Sequence, residues 1–342
     1  MMLNVTYPLI RNLLFCLDAE KTHDLTLSWL NKIQHSAFKG LITQKLVEDP
    51  VTLFGIRFPN KLGLAAGLDK NGACIDAFAA MGFGHIEVGT VTPRPQPGNP
   101  KPRLFRLPQA NGIINRFGFN NLGVDQLIAN VKQSQYTGVL GINIGKNFDT
   151  PVEKAVDDYL ICLEKVYPYA SYITVNISSP NTANLRQLQF GEALSQLLSA
   201  IRTKQDSLAQ QFGRRIPVLI KIAPDLSKVE IESLAKTFVD HQVDGIIATN
   251  TTFSRAGVEH LKYADEQGGL SGRPVFEQST QVLAQLVKFI DGAFPVIGVG
   301  GIDSVATAQQ KIQAGASLVQ IYSGFIYQGP GLIPQIAKGL AK

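Results

Sequence analysis

The sequence predicts an α/β protein, a (β/α)8 TIM barrel preceded by an N-terminal helical extension. Three observations support this prediction: the length, the alternation of short apolar runs with longer amphipathic stretches, and the polar residues that end these runs. The 342 residues suffice for about two average domains or for one barrel with an extension. We expect residues 1–45 to form the extension and residues 46–342 to form the barrel.

Composition narrows the class of protein. Apolar residues make up 45% of the chain and charged residues 17%, which excludes wholesale disorder and a coiled coil. The net charge of +5 comes from basic residues that are scattered singly, so we expect no nucleic-acid partner and favour small anionic ligands or anionic lipid headgroups. Cys16, Cys74 and Cys162 have no metal-ligand spacing, and we interpret them as small packing residues in a reducing compartment.

The first 45 residues show helical periodicity without a strand partner. The spacing predicts two short amphipathic helices, whose apolar positions are Leu9, Leu13, Leu17, Leu27, Leu30 and Ile33. Such helices either pack on the main domain or lay an apolar face in a membrane surface, and the pattern alone does not separate these options. We expect no membrane-spanning segment and no signal peptide.

The rest of the chain alternates between strand and helix patterns. After a predicted hairpin at Leu53 to Asn60, each β-rich apolar run is followed by a stretch with helical spacing, which is typical of parallel βα units. Eight runs match a barrel better than a doubly wound sheet. They are Leu62–Gly67, His85–Thr90, Val139–Gly145, Tyr172–Ile177, Val218–Ala223, Gly245–Asn250, Val296–Gly300 and Ser317–Tyr322. Ser227 and Ser304 stand where helices are predicted to begin.

Polar residues at the strand ends indicate where the chemistry lies, because barrel active sites form at the C-terminal ends of the strands. Gly300 and Gly301 after the seventh strand, with Ser323 and Gly324 after the eighth, predict a phosphate site of exposed backbone N–H groups. Lys221 ends an apolar run, and in a barrel mouth it must meet an anion, form a Schiff base or lose its charge.

Two loops are long enough to be functional: residues 91–121 and 178–190. Together with the strand ends they contain five strings that resemble one family. These are Gly63-Leu-Ala-Ala-Gly-Leu-Asp-Lys70, Asn115-Arg-Phe-Gly-Phe-Asn120, Asn176-Ile-Ser-Ser-Pro-Asn181, Gly245-Ile-Ile-Ala-Thr-Asn-Thr251 and Gly269-Leu-Ser-Gly-Arg-Pro274. Over essentially its whole length the chain resembles the quinone-dependent, class 2 dihydroorotate dehydrogenases.

The resemblance implies an activity and its cofactors. Dihydroorotate is expected to be oxidised to orotate in pyrimidine biosynthesis, with one FMN per chain as the hydride acceptor and a membrane quinone as the final electron acceptor. Ser179 is implied as the base that removes a proton from ring C5, with Thr182 and Phe119 near the outlet of that proton. No metal is implied.

The resemblance also assigns binding residues. Those implied to hold substrate are Lys70, Asn115, Arg116, Gly118, Phe119, Asn176, Asn181, Asn250 and Thr251. Those implied to hold FMN are Ala66, Gly67, Thr90, Asn143, Asn176, Lys221, Thr249, Gly272, Gly301, Tyr322 and Ser323.

The extension resembles the membrane-contacting lid through which quinone reaches the flavin in this family, with His23 and Arg106 near the quinone head. This implies a peripheral protein on the cytoplasmic face of the cell membrane, in contact with the inner leaflet and without an obligatory protein partner. Two other classes of function stay open from the residues alone. One is a Schiff-base aldolase of a phosphorylated substrate that uses Lys221, and the other is a non-catalytic membrane-surface binding module.

Overall fold

A closed barrel of parallel strands forms the centre of the molecule in the computed structural model, which describes residues 2–182 and 184–341. In chain order the strands are β1 (Val51–Leu53), β2 (Ile56–Phe58), β3 (Leu62–Leu64), β4 (His85–Val91), β5 (Leu104–Leu107), β6 (Gly112–Asn115), β7 (Val139–Ile144), β8 (Tyr172–Asn176), β9 (Val218–Ile222), β10 (Gly245–Ala248), β11 (Gly269–Gly272), β12 (Val296–Val299) and β13 (Leu318–Ile321). The barrel closes in the order β3, β4, β7, β8, β9, β10, β12, β13 and back to β3. Each predicted run overlaps one barrel strand, so the predicted barrel is confirmed.

Helices connect the barrel strands and cover the barrel from outside. In chain order the helices are α1 (Met2–Phe15), α2 (Ala19–Ile33), α3 (Ile75–Ala80), α4 (Val124–Gln133), α5 (Ala155–Val166), α6 (Gly191–Phe212), α7 (Lys228–Asp240), α8 (Phe276–Ile290), α9 (Val305–Gln313), α10 (Ser323–Gln328) and α11 (Leu332–Leu340). Ser227 and Ser304 form capping boxes at the starts of α7 and α9, as predicted.

Aromatic rings fill the N-terminal end of the barrel, where two strand glycines make room for them. A Cβ on Gly63 would lie 2.0 Å from the His85 ring, and a Cβ on Gly141 would lie 2.2 Å from the Tyr172 ring. The His85 ring packs edge-on to Phe58 with the centroids 5.3 Å apart. Burial lowers the pKa of His85 to about 3, so this imidazole is neutral at physiological pH.

A three-stranded antiparallel sheet, which the sequence did not predict, covers the C-terminal end of the barrel. Its central strand β6 pairs with β5 on one side and with β11 on the other. Both β5 and β6 lie in the long loop over residues 91–121, whereas β11 lies between β10 and α8. The sheet therefore folds two loops that are distant in sequence into one wall of the barrel mouth.

The extension consists of α1, α2 and a 3-10 turn at Ala37–Leu41, which confirms the two predicted helices. Its inner face belongs to the barrel, since Leu30, Ile33 and Ile42 are part of the main hydrophobic core. α1 also contacts α10. Tyr7 Oη donates to the Ile326 carbonyl at 2.6 Å in α10.

The outer face of the extension holds large apolar side chains in solvent. Leu9 is 73% exposed and Leu13 is 76% exposed. The extension exposes further large apolar side chains, namely Ile10, Leu17, Leu25, Trp29, Phe38 and Leu41. An apolar surface of this kind marks an interaction site. None of the helices in the described part of the chain has both the length and the apolarity needed to cross a bilayer.

The cysteines follow the prediction in two of three cases. Cys74 and Cys162 are buried, but Cys16 is exposed. The interpretation of Cys16 as a packing residue is therefore wrong, because position 16 follows the last turn of α1 on its solvent side, where the thiol donates to the Asn12 carbonyl at 3.3 Å.

Candidate active site

A cavity opens at the C-terminal end of the barrel. Strand ends, the loop after β8 and the mouth sheet all contribute to its lining. Most of the predicted site residues meet there: Ala66, Gly67, Lys70, Thr90, Asn115, Gly118, Phe119, Asn176, Ser179, Asn181, Lys221, Thr249, Asn250, Thr251, Gly272, Gly301, Tyr322 and Ser323. The other predicted residues, Arg116, Asn143, Thr182, His23 and Arg106, lie outside this lining.

Three of these outlying residues surround the cavity. Asn143 is buried beneath it and accepts a hydrogen bond from Thr90 Oγ1 at 2.6 Å. Arg116 points away from it and pairs with Glu266 at 2.6 Å. Thr182 Oγ1 is buried and has no hydrogen-bond partner within residues 2–182 and 184–341.

Several lining residues were not predicted, among them Phe117, Pro180, Ser271, Val275, Val299, Ile302 and Gln320. Most of these residues are apolar, so their residue types do not indicate a chemical role in the sequence. Gln320 is different, because it is the polar residue within the otherwise apolar strand β13. Gln320 lies two residues before Tyr322 and therefore on the same face of the strand. Its position could have identified it from the sequence as a site residue.

Amide groups gather around Ser179. Asn181 Nδ2 donates to Asn115 Oδ1 at 3.2 Å, and Asn250 Nδ2 donates to Ser178 Oγ at 3.0 Å. Ser179 Oγ itself accepts from the Asn181 backbone N–H at 3.2 Å. Since each amide offers both a donor and an acceptor, this wall is suited to a small ring that carries carbonyl and N–H groups.

Lys70 brings a positive charge to the same wall. Its Nζ lies 3.9 Å from the centroid of the Phe117 ring. Burial, together with the nearby Arg103 guanidinium, lowers the pKa of Lys70 to about 8. The ammonium is therefore mostly charged at neutral pH and can bind a carboxylate.

Lys221 brings a second, deeper positive charge. Its side chain is buried, and no hydrogen bond or ion pair holds it within the part of the chain that the structure describes. Burial lowers the pKa of the ammonium, whereas the field of Glu87 acts in the opposite direction. A buried lysine without a protein partner is suited to a bound group that carries negative charge.

Glycines form the wall beside α8 and α10. Gly300 and Gly301 have φ angles of 113° and 73°, which favour glycine. A Cβ on Gly301 would lie 2.5 Å from Phe276 Cβ, and a Cβ on Gly272 would lie 2.1 Å from the Asn111 carbonyl oxygen. The missing side chains let Phe276 and the Asn111 loop pack directly against this wall, and the backbone of Gly272, Gly300 and Gly301 lines the cavity.

His23 and Arg106 lie where the extension meets the barrel mouth. The His23 ring centroid is 6.3 Å from that of Phe117, which lines the cavity. Burial lowers the pKa of His23 to about 3, so the imidazole is neutral. Arg106 donates to the carbonyls of Leu14, at 3.3 Å, and of Leu17. Both residues therefore contact the junction rather than the cavity itself.

A buried ion pair, unseen in the sequence, fastens α2 to this junction. Glu20 accepts from Arg103 Nε at 3.1 Å and from Arg103 Nη2 at 2.8 Å. Arg103 Nη1 donates to the carbonyls of Pro97, at 2.6 Å, and Asn99, at 2.8 Å. Asn99 Nδ2 in turn donates to the Arg116 carbonyl at 2.8 Å. A series of hydrogen bonds thus links Glu20 in the extension to the loop that follows β6.

Comparison with known proteins shows relatives that match almost the whole chain. A protein from Proteus mirabilis named dihydroorotate dehydrogenase (quinone) is 62% identical over 330 residues, which are 96% of this chain and 98% of that protein. A protein of the same name from Cronobacter sakazakii is 58% identical over 334 residues, which are 98% of this chain and 99% of that protein.

Solved structures and a family model agree with these relatives. The crystal structure of a dihydroorotate dehydrogenase from Eimeria tenella, in complex with ferulenol, superposes with a TM-score of 0.87 at 36% sequence identity, over 94% of this chain and 90% of that one. The family model described as "Dihydroorotate dehydrogenase" matches residues 50–342. With a barrel of this topology and a mouth that gathers these residues, the chain belongs to the dihydroorotate dehydrogenase family.

Proposed function

We propose that this chain oxidises dihydroorotate to orotate in pyrimidine biosynthesis and passes the electrons to a quinone through a bound flavin, which is FMN. One observation carries the proposal: a single cavity holds Lys70, the amides around Ser179, Lys221 and the glycine wall. The first two groups suit dihydroorotate, a ring with a carboxylate, and the other two suit a flavin with one phosphate.

The residues present fit an FMN. The buried side chain of Lys221 has no hydrogen-bond or ion-pair partner within the described residues. A fixed positive charge at this position favours the anionic reduced form of a flavin. Gly300, Gly301 and Ser323 line the cavity, and in this proposal their backbone N–H groups bind the phosphate. When bound, the flavin supplies the hydride acceptor.

The substrate wall orients the ring by charge and by amides. Lys70 binds the carboxylate as a charge-assisted pair. Asn115, Asn181 and Asn250 offer donors and acceptors to the ring carbonyls and N–H groups. Burial of this wall strengthens each of these contacts, because water competes less for them.

Ser179 removes the C5 proton in this proposal. A serine hydroxyl is a weak base, so it needs a fixed position and an outlet for the proton. The backbone N–H of Asn181 holds Ser179 Oγ at 3.2 Å. Thr182 Oγ1 is buried without a partner in residues 2–182 and 184–341, and with the buried Phe119 it forms the proposed proton outlet, through a water molecule.

The extension, residues 1–45, serves quinone access in this proposal. Its exposed apolar stripe is suited to the cytoplasmic face of a membrane, since such helices lie with their apolar side in the headgroup region. His23 and Arg106 then meet the quinone head at the junction with the barrel. A Schiff-base aldolase is not favoured, because the relatives that match along almost the whole chain are named as dehydrogenases.

An anaerobic visible spectrum of the purified protein tests the proposal. We expect a flavin band near roughly 450 nm that bleaches with dihydroorotate and returns with a ubiquinone analogue. A yellow protein that dihydroorotate does not bleach would contradict the substrate. A folded, colourless protein that takes up no added FMN would contradict the cofactor, and trapping of Lys221 by borohydride with a sugar phosphate would then favour the aldolase.

A further inference from the structure

A carboxylate lies inside the barrel beneath the cavity. Glu87, on β4, is fully buried. Its Oε2 accepts from Tyr172 Oη at 3.0 Å and from Gln320 Nε2 at 2.8 Å, and its Oε1 accepts from Asn143 Nδ2 at 2.8 Å. These partners come from β7, β8 and β13, so one side chain joins four barrel strands.

A ladder of hydrogen bonds runs from this carboxylate to the cavity. Asn143 Oδ1 accepts from Thr90 Oγ1 at 2.6 Å, and Thr90 Oγ1 accepts from Asn176 Nδ2 at 3.0 Å. Asn176 Oδ1 then accepts from Ser178 Oγ at 3.1 Å. Thr90 and Asn176 line the cavity, while Glu87 and Asn143 lie below it.

The direction of every bond in the ladder follows from the charge at its base. An ionised carboxylate only accepts hydrogen bonds, so Asn143 must turn its Nδ2 toward Glu87 and its Oδ1 toward Thr90. Thr90 must then donate downward and accept from Asn176. The Asn176 amide therefore reaches the cavity in one of its two possible orientations.

The same carboxylate balances charge in the barrel interior. Its three hydrogen-bond partners are neutral, and the field of Glu87 favours the charged form of Lys221. An uncompensated charge in a low-dielectric interior is costly. Within the described residues Lys221 thus has no direct ion pair, and the negative charge of Glu87 in the barrel interior acts on it from a distance.

We propose that Glu87 is a positioning residue that fixes the amide orientation of Asn176 and offsets the positive charge of Lys221 from beneath the cavity. This inference rests on the proposed function. Both effects act through other residues, since Glu87 does not line the cavity. Its negative charge disfavours added electron density above it, so it holds the flavin potential below the value that Lys221 alone would set.

The charge is tested with the holoenzyme of Glu87→Gln, which keeps the side-chain shape. We expect the midpoint potential of the bound flavin to rise, so that at a fixed poise the ratio of reduced to oxidised flavin increases roughly tenfold. Tyr172→Phe is the matched control, because it removes a donor to the same carboxylate but no charge. Glu87→Asp should restore most of the original potential. An unshifted potential in Glu87→Gln, or an equal shift in Tyr172→Phe, would overturn the role of the charge.

The ladder is tested separately with Asn143→Leu, which interrupts it one step above Glu87. We expect orotate, titrated against the flavin spectrum, to bind roughly tenfold more weakly. Unchanged affinity would overturn the orienting role, and this result decides it even if Glu87→Gln yields no folded holoenzyme. Bleaching of the wild-type flavin by dihydroorotate is the reference in both tests. If it fails, the proposed function fails, whereas a normal wild type with unchanged variants contradicts this inference alone.

Discussion

The barrel mouth and the N-terminal extension differ in which groups they bury and which they expose. In and around the mouth, the side chain of Lys221 and the hydroxyl of Thr182 are buried without a hydrogen-bond or ion-pair partner in the described residues. The extension leaves Leu9 and Leu13 in water. Unpaired buried polar groups and clustered exposed apolar groups both cost free energy. Each region is therefore complete only with what it binds, which is a polar ligand in the mouth and an apolar surface at the extension.

The two regions are also mechanically joined. Glu20 on α2 accepts a hydrogen bond from Arg103, and Arg103 donates to the backbone carbonyl of Asn99, ahead of β5. The side chain of Asn99 donates in turn to the carbonyl of Arg116, in the loop after β6. The comparison therefore makes separable predictions: variants in the mouth should affect chemistry, variants on the outer face of the extension should affect membrane and quinone use, and variants at the junction should affect both.

The largest effect is expected in the mouth. Ser179→Ala should lower dihydroorotate turnover about a thousandfold while the protein stays yellow, because it removes the base but no flavin contact. Steady-state kinetics and the flavin absorbance measure the two quantities. Thr182→Val, which removes only the proposed proton outlet, should cost about tenfold. Loss of flavin from Ser179→Ala would show instead that the serine is structural.

The next effect is expected at the junction. Glu20→Gln leaves the buried Arg103 without its counter-charge, and we expect the free energy of unfolding to fall by about 3 kcal/mol. Urea denaturation measures this change. In the double variant Glu20→Met with Arg103→Met, both charges are gone, so the loss should be smaller than in Glu20→Gln. Equal losses in the two variants would mean that the pair does not fasten the extension.

A smaller effect is expected on the outer face of the extension. Replacing Leu9 and Leu13 with glutamine should weaken partitioning onto lipid vesicles by at least about tenfold and raise the KM for a ubiquinone analogue, because less apolar area enters the membrane. The anaerobic reduction of flavin by dihydroorotate should not change. Val229→Gln is the matched control, since Val229 on α7 is as exposed as Leu13, at 76%. Unchanged vesicle binding would remove the membrane role of the extension.

The smallest effect is expected from pH. The pKa of Lys70 is lowered to about 8, and only the protonated amine attracts the substrate carboxylate. As the pH rises through this value, kcat/KM for dihydroorotate should therefore fall several-fold, since it reports the free enzyme. In Lys70→Arg the guanidinium stays charged over this range, so the fall should disappear. A fall that persists in Lys70→Arg would assign it to another group.

The features predicted from sequence are those encoded locally. Apolar runs, their spacing and the residue after each run predict all barrel strands, and with them the convergence of strand-end residues such as Asn176 and Lys221, because parallel strands in a barrel end on one side. Ser227 and Ser304 were predictable for the same reason, since a helix cap acts within one turn.

The features that escaped prediction depend on partners far apart in the chain. Glu20 and Arg103 are 83 residues apart, and Arg116 pairs with Glu266 rather than facing the cavity. The pairing of β6 with β11 joins loops that are separated along the chain by four of the eight barrel strands. Glu87 stands in an apolar run, and its partners Tyr172 and Gln320 are set by the stagger of strands around the closed barrel, which periodicity does not report.

The attachment of α1 to α10 has a consequence for the order in which the protein is completed. Tyr7 and Arg11 leave the ribosome 319 and 316 residues before their respective acceptors, the carbonyls of Ile326 and Tyr327. Domains generally fold from the N-terminus during synthesis, but α1 has no docking site until residues 326 and 327 have been made. A nascent chain stalled before residue 326 therefore has α1 undocked, with its apolar side chains open to chaperones or to the membrane.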